Sequence, residues 1–137
     1  MRYIVTLLFI LISSLSFSQD KQLYQNGKMH LLFTDNSGNI LNDKPFATNV
    51  SVEYNTFFKS YTVVCLTEQG ISTLNLSYIS PMPDYRARYK DLNDPKETVY
   101  IIEDKITSAG TLILLREKTS DYDGKPFLTS FVIADLK

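Results

Sequence analysis

The stretch of this sequence richest in chemistry is Tyr85-Arg86-Ala87-Arg88-Tyr89-Lys90, where cationic and aromatic side chains interleave. Guanidinium groups form paired hydrogen bonds with carboxylates and phosphates, and neighbouring rings add stacking and cation–π attraction. The pattern makes Tyr85, Arg86, Arg88 and Tyr89 the candidate ligand-binding residues, and an anionic glycan, lipid headgroup or acidic protein surface the matching partner. The plainer account of the same residues is an exposed basic strand edge, where lysine and arginine discourage pairing with another chain.

Residues for covalent or acid–base chemistry are sparse. There is one histidine, His30, and one cysteine, Cys65, so a nucleophile–base pair would have to join these two. Cys65 sits in the apolar run Val63-Val64-Cys65-Leu66, with no neighbour to lower its thiol pKa, and reads as a buried small hydrophobe. Four ligands of the usual Cys/His zinc type do not exist in the chain. Asp121-Tyr122-Asp123-Gly124 and Asp35-Asn36-Ser37-Gly38 place oxygen ligands at calcium-like spacing. Neither has the full acidic run or the closing glutamate of a calcium loop, and Asp and Gly are what hairpin turns select anyway. We therefore expect turns there, and no metal or cofactor. Glu53, Glu68, Glu97 and Glu103 are available as a carboxylate pair for glycoside hydrolysis, but nothing in their spacing singles out two. Asn49-Val50-Ser51 and Asn75-Leu76-Ser77 match the N-glycosylation pattern inside expected strands. The chain is expected not to be an enzyme.

The elements that must position these groups follow an export signal. Arg2 precedes the apolar run 4–12, and small residues at Ser16 and Ser18 place a signal-peptidase cut before Gln19. A spanning helix needs about 20 apolar residues, and the run 3–17 is shorter and broken by serines. No cysteine stands at the cut, which argues against a lipoprotein. The expected product is periplasmic or extracellular, with no stable membrane span after cleavage. Removing 1–18 leaves 13 Lys+Arg against 15 Asp+Glu, a net of −2. A general nucleic-acid binder carries a strong basic excess, so nucleic acid is not an expected partner. With one cysteine there is no intrachain disulfide, and the core must hold by packing alone.

The domain organisation reads as a removed signal at 1–18, a loose polar lead-in at 19–28 and a single β domain at 29–137. Strands are expected at 29–34, 40–41, around Val50, Val52 and Tyr54, at 60–68, 71–80, 98–103, 111–118 and 127–134, with turn residues between them. In 60–68, Tyr61, Val63 and Cys65 share one face and Val64 and Leu66 the other. The stretch 84–93 is ambiguous. As a strand it sets Tyr85, Ala87 and Tyr89 against Arg86, Arg88 and Lys90, and as a short helix it aligns Tyr85, Tyr89 and Leu92. The spacing of the strands predicts an all-β fold, an antiparallel meander of about eight strands closing as a small barrel or packing as a sandwich.

These observations favour an exported, non-catalytic binding module for a small apolar ligand or another macromolecule. The alternative is a structural or envelope-interaction protein with a fully packed core, and a small carbohydrate-active hydrolase stands third. A ligand barrel requires an internal cavity lined by tyrosine and phenylalanine, whereas a packed core has none.

Overall fold

The computed structural model describes residues 21–103, 106 and 109–137, and the expected signal peptide lies outside them. Nine strands follow one another: β1 (Lys21–Thr34), β2 (Ile40–Asn55), β3 (Ser60–Thr67), β4 (Gly70–Met82), β5 (Arg86–Asp91), β6 (Val99–Glu103), β7 (Leu112–Arg116), β8 (Ser120–Tyr122) and β9 (Lys125–Ala134). From β1 to β7 each strand pairs antiparallel with the next, β7 pairs with β9, and β9 returns to β1. The last contact runs from Lys28 opposite Ala134 to Thr34 opposite Leu128 and closes the sheet on itself. The fold is therefore an eight-stranded barrel, with β8 outside the ring on the first residues of β9.

Period-2 alternation builds the inside and outside of this ring. In β3 the buried residues are Tyr61, Val63 and Cys65; in β5 they are Ala87, Tyr89 and Asp91; in β6, Tyr100 and Ile102. An eight-stranded barrel is about wide enough for side chains to fill, and these do. Tyr54, Tyr61, Tyr89 and Tyr78 form a chain of ring contacts with centroids 4.5, 5.2 and 5.7 Å apart. Met29, Leu76, Leu114 and Ile133 complete the filling, each buried.

Two sequence expectations need correction, and one ambiguity, strand or short helix at 84–93, is resolved. The lead-in at 19–28 is not loose where it is described, because β1 begins at Lys21, opposite Asn55. Backbone pairing with β2 holds that stretch, together with Tyr24, which packs against the core. The turn expected at 42–45 lies inside the single strand β2. From Ile40 to Ala47 this strand pairs with β1 alone, and a proline is tolerated in such an edge-like stretch. Register shifts near Gly27 and Asn49, with Asn26 and Asn49 at positive φ, bend β1 and β2 around the barrel. The short helix at 84–93 is absent: Asp84 and Tyr85 form a positive-φ turn, and the strand alternative holds over Arg86–Asp91.

The end of the barrel where β1 starts and β9 finishes is plugged by the C-terminus. Gln25 and Lys137 exchange backbone hydrogen bonds of 2.9 and 3.0 Å, and Leu136 N donates to the Gly110 carbonyl at 3.0 Å. Leu136 is buried against the core. Glycine makes this approach possible, since a Cβ on Gly110 would overlap the Leu136 carbonyl oxygen and one on Gly27 would lie 2.7 Å from Leu136 Cδ2.

Candidate functional site

The opposite end carries the β5–β6 loop and the segment that follows β7. The loop is rigid because its carboxylates are used on backbone groups. Asp91, 5% exposed, accepts hydrogen bonds through Oδ1 from the Asn75 and Asn93 amides at 3.1 and 3.0 Å. Asp94 Oδ1 accepts from the Lys96 amide at 2.9 Å, and the Thr98 hydroxyl donates to Oδ2. The Thr98 hydroxyl first, then the Lys96 amide, hold the Asp94 carboxyl below the ordinary aspartate range. Asn93 ties the loop to β4 through the Asn75 side chain and the Thr73 carbonyl.

Between this loop and residues 116–120 lies a groove of about 590 Å³, walled by Lys96, Glu97 and Val99 on one side and Arg116, Lys118 and Ser120 on the other. Arg116 stands opposite Tyr100 and in phase with the buried Leu112 and Leu114. Burial raises the Tyr100 phenol above its ordinary pKa, and a hydrogen bond with Arg116 opposes that rise. The Arg116 Nε is itself buried and has no hydrogen-bond partner among the described residues. Beside the groove, Arg88 and Glu117 form a two-point ion pair: Nη2 donates to Oε2 at 2.8 Å and Nε lies 2.8 Å from Oε1. Glu117 strengthens the hold of Arg88 on its proton.

The four residues singled out in the sequence do not share a surface. Tyr85 is 88% exposed in the β4–β5 turn, while Tyr89 is 1% exposed inside the barrel against Tyr61 and Tyr78. Arg86 and Arg88 point outward from β5, Arg86 with Nε donating to the Pro83 carbonyl at 3.4 Å. Only Arg88 approaches the groove, through its pairing with the groove residue Glu117. Lys96, Tyr100, Arg116 and Lys118 escaped the sequence reading. The signal was present for one of them: Arg116 places a charge two residues after Leu114 on the apolar face of its strand.

Other candidates are drawn apart. His30 Nδ1 contacts Asp43 Oδ1 at 3.0 Å, a pair about half exposed, whereas Cys65 is buried on the interior face of β3. Burial pushes the Cys65 thiol pKa up. Asp123 and Gly124, with φ of 52° and 75°, form the two-residue turn between β8 and β9, the positive-φ pair that tight hairpins require. Asp35 accepts from the Ser37 and Asn39 amides at 2.9 and 2.8 Å and so caps its own turn. Among the described residues, no group of three or more His, Cys, Asp or Glu side chains is placed to hold a metal ion. No protein-family model, curated protein or solved structure matches this chain.

Proposed function

We propose that the protein is an exported, non-catalytic binding module that takes its partner at the groove beside the β5–β6 loop, and not in the barrel interior. One contrast carries the reading. Tyr61, Tyr89, Met29 and Leu76 fill the interior as fully buried side chains, whereas the groove is open, lined mainly by charged and hydroxyl-bearing residues, and walled by a hydrogen-bonded loop. A pocket of this volume falls in the range of about 300–1,000 Å³ usual for small-ligand sites. Of the two partner classes expected from the sequence, the charged and hydroxyl side chains of the walls favour a macromolecule or glycan over a small apolar ligand. Export rests on the apolar run 4–12 and the small residues before Gln19. A second reading, a structural or envelope-interaction protein, draws on the same filled interior, because such a core serves a mechanical role equally well.

Thermal-shift titration of the exported protein separates these readings. Acidic and neutral oligosaccharides are the groove probes, and long-chain fatty acids probe the interior. A rise in Tm with an oligosaccharide and none with fatty acids is the expected result. A fatty-acid response would move the site to the interior, and no response to any probe would favour the structural reading. The intact mass of the same sample should begin at Gln19; a mass retaining 1–18 would overturn the cleavage.

A further inference from the structure

We propose that this groove is a carboxylate site for an acidic, polyhydroxylated sugar, with the Arg116 guanidinium receiving the carboxylate. The inference rests on the binding-module reading and names its ligand. Arg116 reaches the groove because β7 places it at a step of two after Leu112 and Leu114, so its stem leaves the strand on the core side. Tyr100 engages the guanidinium, yet the buried Nε has no acceptor among the described residues. An unmade buried hydrogen bond costs about 1–3 kcal/mol, and native proteins rarely leave one without a reason. A planar fork with an unused donor fits the two oxygens of a carboxylate better than it fits a neutral hydroxyl.

Charge balance sets the ligand's charge. Among the residues that line the groove, three cations, Lys96, Arg116 and Lys118, face two carboxylates, Glu97 and Glu117, so the lining carries one net positive charge. A lining of that charge suits a monoanion better than a phosphate dianion. Ser120, Thr119 and Glu97 add hydroxyl and carboxylate groups that hydrogen-bond sugar hydroxyls, while Val99 is the one apolar side chain in the wall. The backbone-locked loop presents Lys96 in a fixed place, which lowers the ordering cost of binding.

The test is NMR titration of the exported protein, following the Arg116 Nε–Hε resonance. The probes are glucuronate, its neutral isostere glucuronamide, a tetragalacturonate oligomer and inorganic phosphate. Glucuronate and tetragalacturonate should shift the resonance saturably, and glucuronamide should bind about tenfold more weakly, as expected for loss of one charge-assisted hydrogen bond. Arg116→Lys should weaken glucuronate by a similar factor because a lysine has no fork. Lys118→Ala, on the groove wall, should weaken it less, and Arg86→Ala should leave it unchanged. Should Arg116→Lys fail to fold, Lys118→Ala and the wild-type resonance carry the test. Equal binding of glucuronamide and glucuronate would overturn the carboxylate assignment and leave the binding module standing. Preference for phosphate would overturn it in the same way. A silent resonance with all four probes would overturn the sugar-acid site; joined to a flat thermal-shift panel, it would remove the binding-module reading as well.

Discussion

Where β7 begins, Leu136 lies across Gly27 and Gly110 and the barrel is stopped by an apolar side chain and backbone contact. Where β7 finishes, Arg116 continues the apolar face of the strand with a charge, and carboxylates fold the covering loop onto its own amides. Both ends are well defined, but by different means. Close packing leaves the first end no room for a ligand and no tolerance for an added methyl. Hydrogen bonding gives the second end a fixed shape while leaving polar groups facing an open groove. One end is thus held by packing and the other by hydrogen bonds around an open groove, and substitutions at each end should respond accordingly.

The largest effect is expected at the packed end. Gly110 has φ 75°, and its Cβ would overlap the Leu136 carbonyl oxygen, so Gly110→Ala combines left-handed strain with a backbone collision. We expect a loss of about 3 kcal/mol or more in urea unfolding. Gly38→Ala is the matched control, since Gly38 has φ 85° but nothing within 4 Å. It should lose only the strain component, about 1–2 kcal/mol. Equal losses at the two positions would break the claim that close approach, and not torsion alone, seals this end. Leu136→Ala follows in size: it removes a side chain that is 6% exposed and should cost about 2–4 kcal/mol by the same measurement.

The open end should respond to acid before it responds to packing. The Asp94 carboxyl is held below its ordinary range by the Thr98 hydroxyl and the Lys96 amide, and the Asp35 carboxyl by Asn39. A depressed native pKa contributes stability that is present above the unfolded value, near 3.8, and is lost as pH falls through the lower native value. Both groups are partly exposed at the surface, so the effect is local. The protection of the Lys96 and Glu97 amides against hydrogen exchange, relative to the intrinsic rate at each pH, should fall below about pH 4 while the β3 and β6 amides stay protected. Asp94→Asn should bring that loss of protection to neutral pH. Exchange at the two ends that changes together on acidification would show that they are one cooperative unit.

How much of this was legible depends on whether side chains or backbone carry the pattern. The alternation in 60–66 is readable: it sets Tyr61, Val63 and Cys65 on one face and Val64 and Leu66 on the other, and only the structure shows that the first face is the inward one. The strand alternative for 84–93 already put Tyr89 and Arg88 on opposite faces, yet the cluster was read as one surface because its residues adjoin in sequence. Residues 21–28 escaped because their pairing is made by backbone groups, to β2 and to Lys137, across a bulge that breaks the two-residue period. The groove escaped for a related reason. Its walls, 96–99 and 116–120, are brought together by the β6–β7 register, with Tyr100 opposite Arg116, and that pairing leaves no local mark in either segment.

The smallest expected effect tests whether the groove communicates with the interior. Cys65 lies on the inward face of β3 two residues before the strand ends at Thr67, on the same side of the barrel as the loop that follows β5. It is 3% exposed, and burial raises its thiol pKa, so in the native protein both access and thiolate content are low. If the groove is only a surface feature above a filled core, alkylation by iodoacetamide at pH 8 should be close to undetectable over hours and should rise with urea in step with global unfolding. Lys96→Ala and Lys118→Ala, which strip cations from the groove wall, should leave that rate unchanged. Native-state labelling faster than unfolding, or labelling accelerated by either substitution, would mean that the polar end opens into the barrel. The division between a filled core and an open groove would then have to be redrawn around Cys65.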